Sequence, residues 1–209
     1  MTADLNPDGT DAPLLGEPLA VEFANTRYAV RGDRRDAIAT ADGLRRWLVA
    51  VAQRLADQGA DPPRWWAVHE SDVDEFVRLR DAVREAAENT AAGRHVDETV
   101  RRLLNGAVRG DPGWYELADA DAGLYAIRRN TSGDPLVRAR AALARAAIDL
   151  LTGPLASALR ACPAPGCVLL YVKNHPRREW CSAGCGNRVR AARHYARVRD
   201  AASTRAPGG

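Results

Sequence analysis

The chain has 209 residues, 46% of them hydrophobic and 27% charged. That balance excludes a disordered chain, a collagen-like fibre and a coiled-coil rod, and no apolar run approaches the roughly 18 residues that a membrane span requires. The net charge is only +3, but residues 162–205 carry nine basic residues against Glu179 and Asp200, which leaves the rest of the chain acidic; such asymmetry points to a basic tail that meets a polyanion.

Residues 1–16 hold Asp4, Asp8 and Asp11, no Lys or Arg, and several Pro, Gly and Thr. They read as a flexible terminus, not a secretory signal, so the expected compartment is the cytoplasm. Of the 30 basic residues only Lys173 is not Arg, a bias expected of a GC-rich bacterial genome. Leu19, Ala20, Val21, Phe23 and Ala24 form a short apolar run that suits a strand or a helix equally. Thr40 precedes a helix with Leu44, Trp47, Leu48, Val51 and Leu55 on one face, stopped by Gly59 and Asp61-Pro62-Pro63. Ser71 caps the next helix, which carries Val73, Phe76, Val77, Val83 and Ala87 to about Gly93. Val96 to Val108 is a third helix.

Trp114–Leu117 and Leu124–Ile127 are aromatic-rich runs that predict a β-hairpin with a longish turn. Asp134-Pro135 opens a further helix at the position where Pro is tolerated, and it runs to Gly153-Pro154. Leu155–Arg160 reads as a short connecting helix. The fold class is therefore mainly α: a helical N-terminal domain with a small β-hairpin over residues 17–160, then a compact module over 161–205.

All four cysteines fall in that module, as Cys162-x4-Cys167-x13-Cys181-x3-Cys185. Two close pairs separated by a dozen residues match a tetrahedral Zn²⁺ site, in which one loop brings two chelating pairs together. Disulfides are the alternative, and a cytoplasmic location disfavours them. Val168–Val172 reads as a strand, Asn174-His175-Pro176 as a turn, Arg177–Trp180 as the returning strand, and a helix follows from about Asn187. That outline is treble-clef-like. His175 is a rival ligand but fits better as a turn residue. On the final helix Arg190, Arg193 and Arg197 recur at spacings of three and four, flanked by Arg188 and Arg199. An Arg stripe anchored by a metal site matches contact with DNA phosphates, with RNA or an acidic protein as alternatives.

Trp180-Cys181-Ser182 and Cys185-Gly186-Asn187-Arg188 resemble the signature of the CGNR zinc-finger proteins. Leu19-Ala20-Val21-Glu22-Phe23-Ala24-Asn25-Thr26 is similar to the opening of their upstream ABATE domain. The resemblance covers nearly the whole chain and implies a bacterial stress-related transcription regulator with Cys162, Cys167, Cys181 and Cys185 as zinc ligands. It departs from the family pattern at Tyr171–His175. On this reading Arg177, Arg178, Asn187, Arg188, Arg190, Arg193 and Arg197 face DNA. Asn187 as a helix cap and Arg188 packed on Trp180 are the structural alternatives.

Phe23, Asn25, Thr26 and Arg27 are candidates to line the pocket of a small-molecule effector. The alternative places Phe23 in the core, with Asn25 and Thr26 satisfying backbone groups. A homodimer and DNA are the expected partners. No Ser/His/Asp set, phosphate loop or His-Glu-x-x-His motif occurs. An enzyme or small-molecule binder with a structural or docking finger remains the alternative function.

Overall fold

The computed structural model describes residues 10–30, 32–63 and 65–204, with side chains to residue 198. The first ordered element settles the ambiguous apolar run: α1, Leu19–Ala24, is a short helix with every residue buried, entered through Pro18. A hairpin that no apolar alternation announced comes next, β1 (Arg27–Val30) paired antiparallel with β2 (Asp33–Asp36). Gly32 makes its turn at φ +94°, a conformation that carries little steric penalty only without a Cβ.

Thr40 caps α2 (Ala41–Ala50) by accepting from the Gly43 N–H. The single helix expected to Leu55 is interrupted at Val51, whose backbone (φ −106°, ψ 11°) leaves the helical region, and α3 (Ala52–Asp57) starts afresh. Helix α4 spans Glu70–Ala91. Its cap is His69, two residues before the expected Ser71, because the His69 N–H donates to the Asp72 carboxylate and closes the first turn there. Asp97 caps α5 (Glu98–Arg109).

Strands β3 (Gly113–Ala120) and β4 (Gly123–Asn130) form the expected hairpin, but it is longer than the sequence implied and its turn has only two residues, Asp121 and Ala122. Asp134 caps α6 (Pro135–Thr152) through the Leu136 and Val137 N–H groups, with Pro135 in the first turn. The expected connecting helix is instead a 3-10 turn (Ala156–Ala158) followed by a strand, β5 (Leu159–Ala161), which pairs with β6 (Leu170–Val172). Helix α7, Ala183–Thr204, ends the described chain. About half of the described residues are helical, and the sheets among them are three separate two-stranded ribbons. Among the described residues, no helix is long and apolar enough to cross a membrane.

The core forms where α1 packs on α4 and α6. Phe23 meets Trp47 with ring centroids 5.2 Å apart, and Ile38, Leu44, Phe76 and Leu143 surround them. Of the Trp65-Trp66 pair, Trp66 enters this core while exposed Trp65 lies under the Arg45 guanidinium. Arg80 is buried here too; its guanidinium holds Asp36 through two hydrogen bonds of 3.0 and 2.8 Å and so ties β2 to α4. Burying an arginine is tolerated because two carboxylates, Asp36 and Asp81, and the Thr26 hydroxyl satisfy it. The same core continues into the C-terminal sheet, since Leu159, Leu170 and Val172 belong to it.

Residues 1–9 of the expected flexible terminus lie outside the described residues, as do Arg205 and the Arg199 side chain. From Thr10 onward the expectation is corrected. Thr10 and Ala12 are buried, Leu14 packs on the main core and Leu15 on the cysteine cluster.

Candidate metal centre

The first cysteine pair sits on a tight loop between β5 and β6. The Cys162 N–H donates to the Leu169 carbonyl and the Cys167 N–H to the Ala164 carbonyl, both at 2.9 Å. These bonds curl residues 162–167 so that both sulfurs point inward. The second pair comes from the start of α7. Cys181 precedes the helix, Cys185 lies in its first turn, and the Ser182 hydroxyl accepts from the Cys185 N–H at 3.3 Å. The helix starts at Ala183, four residues before the expected Asn187, which puts the last cysteine inside it.

The four Sγ atoms lie within 4.8 Å of one another. Cys181 and Cys185 are 3.4 Å apart, Cys167 and Cys181 3.8 Å. Sulfurs arranged tetrahedrally about an ion at about 2.3 Å would be about 3.8 Å apart, so the donor set fits one metal ion. None of the four is in a disulfide. The electrostatics agree. Hydrogen bonds from Cys167 and then Cys181 pull the Cys162 thiol far below its ordinary range. The Cys181 thiol is pushed up, first by its hydrogen bonds to Cys162 and Cys167 and then by burial. Among Cys162, Cys167 and Cys181, ionisation of one sulfur opposes ionisation of the others. A dication relieves that conflict, because it lets all of them bind as thiolates.

Tyr171, Val189 and Ala164 are buried around the sulfurs, with Leu15, Leu169 and Trp180 closing the shell. Each residue after Cys185 has a definable task. Gly186 faces Trp180 so closely that a Cβ there would lie 3.1 Å from the indole. Asn187 is exposed and accepts from the Arg190 guanidinium. Arg188 donates to the Pro165 carbonyl at 3.1 Å and reaches the Cys185 sulfur at 3.7 Å, so it links the two cysteine pairs and offsets thiolate charge. It does not use the Trp180 face for this.

Arg178 has a role the sequence did not disclose. The expected returning strand over 177–180 is absent from the described structure; the sheet is β5–β6 instead. Arg178 holds that loop. It donates to the Val172 and Cys181 carbonyls at 3.0 Å, pairs with buried Glu17, and lies 5.1 Å over the Tyr171 ring. Arg177 is exposed. Arg190, Arg193 and Arg197 stand on α7, where every described residue from Arg190 to Val198 is exposed.

The four candidate ligand-pocket residues are not brought together on one cavity. Phe23 is in the core. Asn25 is buried against β6, and the Thr26 hydroxyl donates to the Phe23 carbonyl at 2.8 Å and accepts from Arg80. Their polar groups are therefore occupied by the fold itself. Arg27 lies apart from them in a surface recess beside Arg34, Arg84, Cys162 and Cys167. His175 is exposed in a turn, its Nδ1 accepting from the Arg177 N–H, outside the sulfur cluster.

The ABATE family, described as "Putative stress-induced transcription regulator", matches residues 17–154. The CGNR zinc finger matches residues 158–198. No curated protein matches the chain significantly.

Proposed function

The chain belongs to the ABATE family, and we propose that it acts as a zinc-dependent, DNA-binding transcription regulator with a treble-clef-like finger. Cys162, Cys167, Cys181 and Cys185 would hold the zinc, and the bound ion would join the β5–β6 loop to the first turn of α7. One observation carries the reading. Helix α7 is fixed at its start by the sulfur cluster and then leaves the body, exposed from Arg190 to Val198 with Arg190, Arg193 and Arg197 along it. A rigid cationic rod of that kind supports contact with the regularly spaced phosphates of a duplex. Arg178 and Arg188 serve the same end indirectly, by holding the finger together, and Arg177 adds charge beside it.

Regulation by a small molecule fits the groove between α4, α5 and α6. It has a volume of about 540 Å³, is floored by Leu79, Ala107 and Val137, and is rimmed by Arg78 and Arg102. This lies in the size range of small-molecule sites, and it replaces the Phe23–Arg27 segment as the place to look for an effector.

The test is a titration of the metal-loaded protein onto duplex DNA at several salt concentrations. Affinity should fall linearly on a log–log plot, with a slope reduced by roughly one for each of Arg193→Ala and Arg197→Ala. Absence of binding, or a slope that neither substitution moves, overturns the reading.

A further inference from the structure

The β3–β4 hairpin is rooted in the body and then projects from it. At its root the Asn130 amide donates to the Gly59 carbonyl and Arg128 donates to the Asp111 carbonyl. Beyond the root nearly every residue is exposed, and among the described residues no third strand pairs with either edge. Isolated two-stranded hairpins are marginal in water; they gain stability from a third strand or a packed face.

The pairing register sorts the side chains into two faces. One carries Trp114, Tyr125 and Ile127 and is laced by polar contacts, since the Trp114 indole and Arg129 both donate to Glu116, at 3.0 and 2.7 Å; Trp114 is 53% exposed and Tyr125 47%. The other presents Tyr115, Leu117, Leu124 and Ala126. Tyr115 is 71% exposed, Leu117 75% and Leu124 69%. Three large hydrophobic side chains this bare and this close together are a signature of an interface.

We propose that this face is the contact by which two copies of the chain form a dimer. The charge along the hairpin selects a second copy as occupant. On this face the tip end carries Asp119 and the root end Arg128, whereas Arg129 lies on the opposite face and is paired with Glu116. A two-fold axis at the Leu117–Ala126 pair, the middle of this face, lays Asp119 toward the other copy's Arg128 and Leu124 toward its Tyr115, while Leu117 packs about the axis. The patch is thus self-complementary, as an isologous interface requires. Its area is also sufficient. The exposed aromatic and leucine surface comes to roughly 500 Å² per copy, or about 1,000 Å² in the pair, at the lower bound of specific interfaces. An interface at that bound belongs to weak, reversible association. The inference stands on the hairpin alone, so it can fail without affecting the DNA-binding reading.

Sedimentation velocity on the full metal-loaded chain tests it. The native protein should pass from the mass of one chain to that of two across micromolar concentrations. Leu117→Arg combined with Leu124→Arg should hold it at the mass of one chain, with unchanged circular dichroism and metal content. Leu117→Thr with Leu124→Thr, which preserves strand preference, should weaken the dimer at least tenfold if the arginine variant misfolds. A native protein that stays at one chain throughout, or a dimer that survives both pairs of substitutions, overturns the proposal.

Discussion

The Asn25 side chain and the Leu170 backbone exchange two hydrogen bonds. The Asn25 Nδ2 donates to the Leu170 carbonyl and the Leu170 N–H donates to Oδ1, each at 2.9 Å. The amide thereby imitates a neighbouring strand. Other side chains complete the same edge of β6: the Val168 carbonyl accepts from Arg84, the Val172 N–H donates to Glu17, and the Val172 carbonyl accepts from Arg178. Strand β6 is therefore paired by β5 on one side and by side chains, mainly from the helical region, on the other. The finger is seated through this edge, which fixes where α7 leaves the molecule.

Asn25→Ala should test that seat directly. It leaves a buried N–H and a buried carbonyl unpaired, at a cost of about 2–4 kcal/mol. Asn25→Asp should cost a comparable amount, because it keeps the acceptor but turns a carboxylate oxygen toward the Leu170 carbonyl. Urea unfolding of the metal-loaded protein measures both. A loss below about 0.5 kcal/mol for either would show that the edge is not a seat.

Arg178 and Arg193 should separate structure from contact. Arg178→Ala strips buried Glu17 of its partner and frees the Val172 and Cys181 carbonyls. It should lower unfolding stability by about 3 kcal/mol and weaken metal retention. Arg193→Ala removes an exposed charge and should leave both unchanged within about 0.5 kcal/mol. Equal effects on stability would contradict the division of labour between the two residues.

What the sequence disclosed follows the range of the interactions concerned. The Asp134-Pro135 start of α6 and the cysteine spacing were legible, because capping and chelation are written in residues a few positions apart. Hairpin β1–β2 was not. Asp33-Arg34-Arg35-Asp36 has no apolar alternation, and β2 is held by Arg80, 44 residues away in the chain. Strand β5 read as helix because Leu-Arg-Ala favours helix locally; its pairing with β6 across the cysteine loop overrides that preference. Asn25 was visible as an unusual residue next to an apolar run, but its partner, 145 positions on, was not.

Metal removal should unfold more than the finger. Leu159, Leu170 and Val172 belong to the main core, so loosening the cysteine loop exposes core surface. Chelation, or Cys181→Ser, should abolish binding of one equivalent of zinc per chain and lower the midpoint of a single cooperative transition. Acid should release the metal as well, since protons compete with it for the thiolates. Zinc analysis with calorimetric scans checks this. An unchanged transition in excess chelator would mean that the cluster bears no structural load.

Glu22 supplies a pH signature independent of the metal. Its side chain is fully buried, and Oε1 accepts from the Leu15 and Glu17 N–H groups at 2.9 and 2.8 Å, while Oε2 has no partner among the described residues. Burial raises its pKa above the ordinary 4.5, against the lowering effect of those two hydrogen bonds and of Arg54. The folded state thus binds a proton that the unfolded state has already released. The stabilisation is fully present below the ordinary carboxyl range and is lost as pH rises through the raised value. Glu22→Gln retains an oxygen to accept both N–H groups and cannot ionise. Relative to the native chain, this variant should therefore gain stability as pH rises from about 4.5 and then level off. Urea unfolding of the two proteins at matched pH values reads the difference, and a constant difference across that range would show that the buried carboxyl does not carry the proton.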